Sequence, residues 1–254
     1  MLHRYFLHLA YNGAAYRGWQ RQPNAVTVQG TIEGVLSRIL DHEAKVTGCG
    51  RTDAGVHASK YTAHFDTAKP VPEDFPRRLN RLLPADIAVR AVEPMGPAPE
   101  PGVHGQHARF SAKHRAYRYD VIAEKDPYRA ALAWQYHGFK KLDLDVLNEV
   151  AAMLMSYTEF APFCKSKSDA KTMKCELRDA RWERAAGGDE LHFYIAADRF
   201  LRGMVRLIVG TCVQVALGEM SIEDVRDAMI AQTPVRKPLS VPATGLFLTE
   251  VRYG

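Results

Sequence analysis

Cysteine is scarce in this chain of 254 residues, and none of Cys49, Cys164, Cys175 and Cys212 stands in a Cys-x-x-Cys pair or at metal-ligand spacing from histidines. That pattern indicates neither a disulfide frame nor a structural zinc site, and it suits a reducing compartment, so a cytoplasmic location is expected. Long apolar runs are missing too. The most apolar stretch, 204–217, is too short to span a bilayer and carries Arg206, and the opening MLHRYFLHLAYNG lacks the apolar core of an export signal. A soluble protein without membrane partners is the expectation. No Gly-Lys-Ser/Thr closes a phosphate loop, and among Gly48, Gly50 and Gly55 the chain has Asp53 where a dinucleotide fingerprint needs glycine, then strand-like alternation where it needs a helix.

Positive charge is what the chain does have. Lys and Arg number 34 against 29 Asp and Glu, a net charge of +5 with ten further histidines. Residues 102–118 contain no Asp or Glu, while Arg109, Lys113, Arg115 and Arg118 alternate with His104, His107, His114, Phe110 and Tyr117. A polyanionic partner fits such a segment better than a solvated face of mixed sign.

Periodicity predicts strands at 5–11, near Lys45, at 61–65 and at 87–92, with a helix at 28–40 capped by Thr27 and another at 75–83. The Pro- and Gly-rich segment MGPAPEPGVHG, 95–105, reads as a linker or long loop. Beyond it the pattern recurs: a strand at 115–122, a helix at 142–154, a hairpin of 175–184 and 191–196 about Gly187 and Gly188, a helix at 200–217 and a closing strand at 245–251. Ser221 with Asp224 marks one additional helix by a capping box. The expected fold is α+β, two ferredoxin-like halves at 1–100 and 101–254 with antiparallel sheets side by side and a cleft between them.

Three segments carry chemistry. In GCGRTDAGVHA, Asp53 either caps a turn or acts as a reactive carboxylate. In DRFLRGMVRLIVG, Arg199, Arg202 and Arg206 fall at i, i+3 and i+7, one face of the predicted helix, near an N-terminus that disfavours cations; the stripe is either solvated or holds phosphate or a carboxylate. In ARFSAKHRAYRYD, Tyr117 and Tyr119 share a strand face opposite Arg118, as core or as a stacking surface for a base. The loop YNGAAYRGWQRQ adds Tyr16, Arg17, Trp19 and Arg21, with Trp19 either contacting RNA or anchoring the loop.

Taken in order, AYRGWQRQ, GCGRTDAGVHA, ARFSAKHRAYRY, FLRGMVRLIVG and PATGLFLTEVRY resemble the signature segments of the tRNA pseudouridine synthase A family, over nearly the whole chain. The resemblance implies two ferredoxin-like halves around a basic cleft, a homodimer, and conversion of uridine to pseudouridine at positions 38, 39 and 40 of the tRNA anticodon arm. It makes Asp53 the essential aspartate, Tyr117 the tyrosine against the target base, Arg206 the aspartate's partner and Leu246 an apolar floor of the uracil pocket. The exchange consumes neither electrons nor water, so no cofactor and no metal are expected. Asp53 could add to the ribose, add to the ring, or abstract a sugar proton. Phosphate contacts are assigned to Arg17, Arg21, Arg51, Lys113, Arg115, Arg199 and Arg202, and to Lys165 and Lys167, with Lys171 and Lys174, of FCKSKSDAKTMKCEL. Two rivals stand beside this reading: an RNA-binding protein without chemistry, and a hydrolase whose second carboxylate would have to be Asp66 or Glu43.

Overall fold

A computed structural model describes residues 1–100, 106–166 and 170–254. The chain divides into two compact units, Met1–Lys113 with Leu248–Gly254, and His114–Phe247. Each combines helices with antiparallel strand pairs, so the fold class is α+β.

The first unit runs β1 (His3–Tyr11), α1 (Val28–Leu40), β2 (Thr47–Gly48), β3 (His57–Thr67), α2 (Phe75–Leu82) and β4 (Ile87–Pro97). Strand β1 pairs antiparallel with β3 and with β4, and β2 pairs with β3, which gives the order β4-β1-β3-β2. Helix α1 forms because Val28, Ile32 and Leu36 recur every fourth residue and bury one apolar stripe, at about 2 kcal/mol per side chain. Thr27 caps it by accepting the Gly30 N–H at 3.2 Å, and Asp41, at φ 56°, ends it. On the same side Tyr5 stacks on Phe65, which stacks on Phe75 of α2.

The other face of this sheet is covered by the segment before Lys113 and by the chain end. Arg4 forms a two-pronged pair with Asp66, both contacts at 2.8 Å, and donates to the Gln106 carbonyl at 3.0 Å. Tyr253 lies 5.2 Å from the Phe6 ring and donates to the Ala108 carbonyl. Beneath them His64 accepts the Ala108 N–H on Nδ1 at 3.1 Å. Burial, then the neighbouring Arg4 and His107, push its pKa down from 6.5 to about 4. The folded imidazole therefore resists a proton that the unfolded one accepts, so its contribution is complete above about pH 6.5 and is lost as pH falls towards 4. His64→Asn keeps an acceptor for the same N–H and no longer titrates. It should remove about 2 kcal/mol of the wild-type loss in unfolding free energy between about pH 7 and pH 5, measured by urea titration. Equal losses in both proteins would assign the acid sensitivity to other groups.

The second unit runs β5 (His114–Ile122), β6 (Trp134–Gln135), α3 (Leu144–Leu154), β7 (Leu177–Arg184), β8 (Glu190–Ala197), α4 (Met204–Ala216) and α5 (Ile222–Ala231). Strand β8 lies between β5 and β7, antiparallel to both, and β6 adds a short parallel pair to β5. Helix α3 packs on β7 and on α4, where Trp182 and Phe193 stand 5.0 Å apart. From Met204 to Gln214 every residue of α4 except Arg206 is buried. Ser221 and Asp224 form the expected capping box at the start of α5. The last strand, β9 (Leu246–Arg252), contributes its first two residues to this unit and the rest to the first.

Three expectations need correction. The helix predicted at 200–217 starts only at Met204, because Gly203 at φ +71° breaks the helical path before it. Arg199 and Arg202 therefore sit in the lead-in, and the three-arginine helix face does not exist. The helix predicted from Leu142 begins at Leu144, where Asp143 accepts the N–H groups of Asp145 and Val146, after a 3-10 turn at Phe139–Lys141. Strand β4 continues to Pro97, so the segment read as a linker or long loop opens as strand, while His104 and its neighbours 101–105 lie outside the described residues. None of the four cysteines forms a disulfide, and among the described residues no helix is long and apolar enough to cross a membrane.

Candidate active site

Asp53 stands between β2 and β3 in a turn closed by the Val56 N–H, which donates to the Asp53 carbonyl at 3.1 Å. The 12–19 loop clamps that turn. Trp19 N–H donates to the Thr52 carbonyl at 3.1 Å, Gly55 N–H donates to the Tyr16 carbonyl at 3.2 Å, and the Thr52 and Tyr11 hydroxyls lie 2.9 Å apart in the core. The approach is so close that Gly18, at φ +91°, has no room for a side chain: a Cβ would stand 2.6 Å from the Thr52 carbonyl oxygen. Trp19 is buried and stacks on Tyr61 at 4.2 Å, and the Tyr61 hydroxyl donates to the Gly50 carbonyl. Of the two readings open for Trp19, the anchor is the one observed. Asp53 itself is half-buried at the edge of this frame. A carboxylate on so fixed a backbone can attack a carbon or take a proton with little reorganisation.

Beside the frame lies a cavity of about 120 Å³, with Trp19, Gln20, Gln29, Gly48, Arg51 and Arg109 in its walls. Arg51 is exposed and donates from Nε to the Gln20 side-chain oxygen at 3.3 Å. Arg17 is exposed on the clamp loop, and Lys113 is exposed with its main-chain N–H on the Arg252 carbonyl. Arg21 pairs with Glu33 of α1 at 3.2 Å, so part of its charge answers a carboxylate of this chain.

In the second unit the expected residues gather around two turns. Tyr117, half-buried on β5, meets Phe200 edge-on at 5.2 Å and 89°. Its strand neighbour Tyr119 is fully buried, donates to the Pro242 carbonyl at 2.8 Å, and has its phenol pKa raised by burial, so it stays protonated. Arg206, in the first turn of α4, donates from Nε to the Val241 carbonyl at 2.6 Å. That charge-assisted bond offsets the unfavourable helix end. The same turn leads through Gly245, against the Tyr119 ring, into Leu246, which is buried. Thus the Tyr117 strand, Arg206 and Leu246 are tied together through residues 241–246.

The second gathering is built by Asp198. Its carboxylate accepts the Glu176 and Arg199 N–H groups, at 2.8 and 2.7 Å, and its carbonyl accepts Arg115 Nη1 at 2.8 Å. Arg202 is exposed and donates to the Ser166 carbonyl at 3.4 Å, while its own carbonyl accepts the Lys165 N–H. Arg115, Arg199, Arg202 and Lys165 therefore form one basic ridge. Lys167 lies outside the described residues; Lys174 is 4.0 Å from Glu159.

Sequence reasoning missed the residues that hold these groups rather than the groups themselves: Thr52 and Tyr11 under the aspartate, Glu33 behind Arg21, Asp198 inside the ridge and Val241 beneath Arg206. The one available signal was the Gly-Trp-Gln run, whose glycine and tryptophan both touch the Asp53 frame. Among the described residues no group of three or more His, Cys, Asp or Glu is placed to hold a metal ion.

The family described as tRNA pseudouridine synthase matches residues 9–98 and 151–254, which include Asp53, Arg206 and Leu246 but not Tyr117. A protein of Parabacteroides distasonis named tRNA pseudouridine synthase A is 42% identical over 254 residues, covering 99% of this chain and 96% of that one. Its namesake from Porphyromonas gingivalis is 43% identical over 253 residues, covering 98% and 97%. The Bacteroides thetaiotaomicron protein of that name is 41% identical over 254 residues, covering 99% and 91%. Similarity sustained at that level from end to end means that this chain belongs to the tRNA pseudouridine synthase family.

Proposed function

We propose that the protein converts uridine to pseudouridine at positions 38, 39 and 40 of the tRNA anticodon arm, with Asp53 as nucleophile or base and no cofactor or metal. In the exchange the bond between C1′ and N1 breaks, the base turns, and C1′ bonds to C5; N1 takes up a proton and the C5 proton leaves. Asp53 stabilises the positive charge that develops at C1′, or forms a bond there or on the ring. Arg206 serves as its cationic partner, Tyr117 lies against the base, and Leu246 keeps water from the detached uracil. A paired uridine leaves its stack at a cost of a few kcal/mol, which the basic ridge and Arg17, Arg21, Arg51 and Lys113 offset through the phosphates.

The observation that carries this reading is the clamp on the Asp53 turn. A half-buried carboxylate on a turn fixed by two main-chain bonds to a neighbouring loop, two residues from an arginine that lines a cavity, suits chemistry on an anionic substrate. It does not suit an RNA-binding protein without chemistry, which gains nothing from a carboxylate there. The strand order β4-β1-β3-β2 supports a ferredoxin-like first half, and the proposal keeps two such halves, 1–100 and 101–254, in a cytoplasmic homodimer.

The test is to incubate an unmodified tRNA transcript with the protein and map pseudouridine by carbodiimide-dependent reverse-transcription stops. Stops at 38 to 40 are expected where uridine is present. Free uracil with an abasic tRNA would identify a hydrolase instead, and stops elsewhere would move the substrate site. Arg202→Ala, at the exposed member of the ridge, should weaken tRNA binding and lower the slope of log affinity against log salt by about 0.7 to 0.9. An unchanged slope would remove Arg202 from the phosphate contacts.

A further inference from the structure

Glu33 is 5% exposed, yet it is tied by an unbroken chain of side chains to an arginine two residues from Asp53. Its Oε1 accepts the Val46 N–H and Gln29 Nε2, both at 3.0 Å, and its Oε2 accepts Arg21 Nη1 at 3.2 Å. Gln29 Nε2 also donates to the Val46 carbonyl at 2.9 Å, while its Oε1 accepts the Arg21 N–H at 2.8 Å and Gln20 Nε2 at 2.9 Å. Gln20 Oε1 in turn accepts Arg51 Nε at 3.3 Å.

The ends of this chain fix its direction. A carboxylate only accepts and a guanidinium only donates, so Gln29 must turn its nitrogen to Glu33 and Gln20 must turn its oxygen to Arg51. Neither amide can flip without setting two donors or two acceptors against each other. Gln20 and Arg51 both line the cavity that Trp19 and Gly50 also border, and among its described lining residues none is acidic.

We propose that Gln20, oriented through Gln29 by the buried Glu33, is a positioning residue that holds the Arg51 guanidinium at this cavity to receive a backbone phosphate of the RNA. The proposal rests on the function given above. Its energetic basis is that a long cation fixed beforehand loses less conformational freedom when its ligand arrives.

The test is a double-mutant cycle on the full-length protein, read as affinity for unmodified tRNA by filter binding. Gln20 is exposed, so Gln20→Met should leave the thermal midpoint unchanged, weaken binding about fivefold and raise KM with kcat within about twofold. Arg51→Met should weaken binding about tenfold and lower the salt slope by about 0.7 to 0.9. The double variant should match Arg51→Met alone, since Gln20 acts only through that arginine. Additive losses, or full affinity in Gln20→Met, would overturn the positioning role, and an unaltered salt slope in Arg51→Met would overturn phosphate as the ligand. Because affinity is read without turnover, a protein that binds tRNA but forms no pseudouridine sinks the proposed function, while the cycle still judges Gln20.

Discussion

Asparagine in place of Asp53 should stop turnover, by at least about a thousandfold, and leave tRNA affinity within about threefold of wild type. The two side chains have the same shape, so the effect isolates the charged oxygens. The clamp bonds around the turn, Trp19 to Thr52, Gly55 to Tyr16 and Val56 to Asp53, all run through the main chain and survive the exchange. An amide can neither form the ester-like bond nor take the proton that the base exchange requires. Single-turnover assays with enzyme in excess separate this loss from any change in binding. A variant that keeps a tenth of the activity would place the chemistry on another group.

Alanine at Gly18 should produce the second large loss, although residue 18 has no functional group to remove. Two costs coincide there. At φ +91° an L-residue is strained by about 1–2 kcal/mol, and the new Cβ would lie 2.6 Å from the Thr52 carbonyl oxygen and 3.2 Å from the Asp53 carbonyl carbon. Those neighbours are backbone and cannot turn aside as a side chain would. Relief must come from parting the 12–19 loop from the aspartate turn, which breaks the Trp19–Thr52 bond and shifts Asp53. A displacement of the order of 1 Å costs about a hundredfold in rate. We expect kcat to fall by about that factor, with a lower thermal midpoint and an affinity for tRNA that changes far less. Wild-type kcat in a destabilised Gly18→Ala protein would show that the clamp supports the fold and not the chemistry.

Elements whose determinants are local were legible in the sequence. Thr27 ahead of an apolar four-residue repeat, and Ser221 three residues before Asp224, specify their helix starts within a single turn of chain. The strand that follows the aspartate turn was legible too, because Tyr61, Ala63 and Phe65 alternate with polar neighbours within one short run. What escaped depends on distant partners or on one backbone angle. Arg199, Arg202 and Arg206 have ideal helical spacing, and only the left-handed turn at Gly203 separates the first two from the third. Glu33, the buried partner of Arg21, escaped because it reads as an ordinary acid on an amphipathic helix. Asp198 organises three segments far apart in the chain, Arg115, Glu176 and Arg199, and no spacing rule connects them.

Release of tritium from C5 of uridine bears most directly on the claim that Asp53 carries out a base exchange. With unmodified tRNA labelled at C5, the wild-type protein should deliver one tritium to water for each pseudouridine recovered, without free uracil, and Asp53→Asn should deliver none above background. Label retained while uracil accumulates, or release from Asp53→Asn at the wild-type rate, would contradict the account.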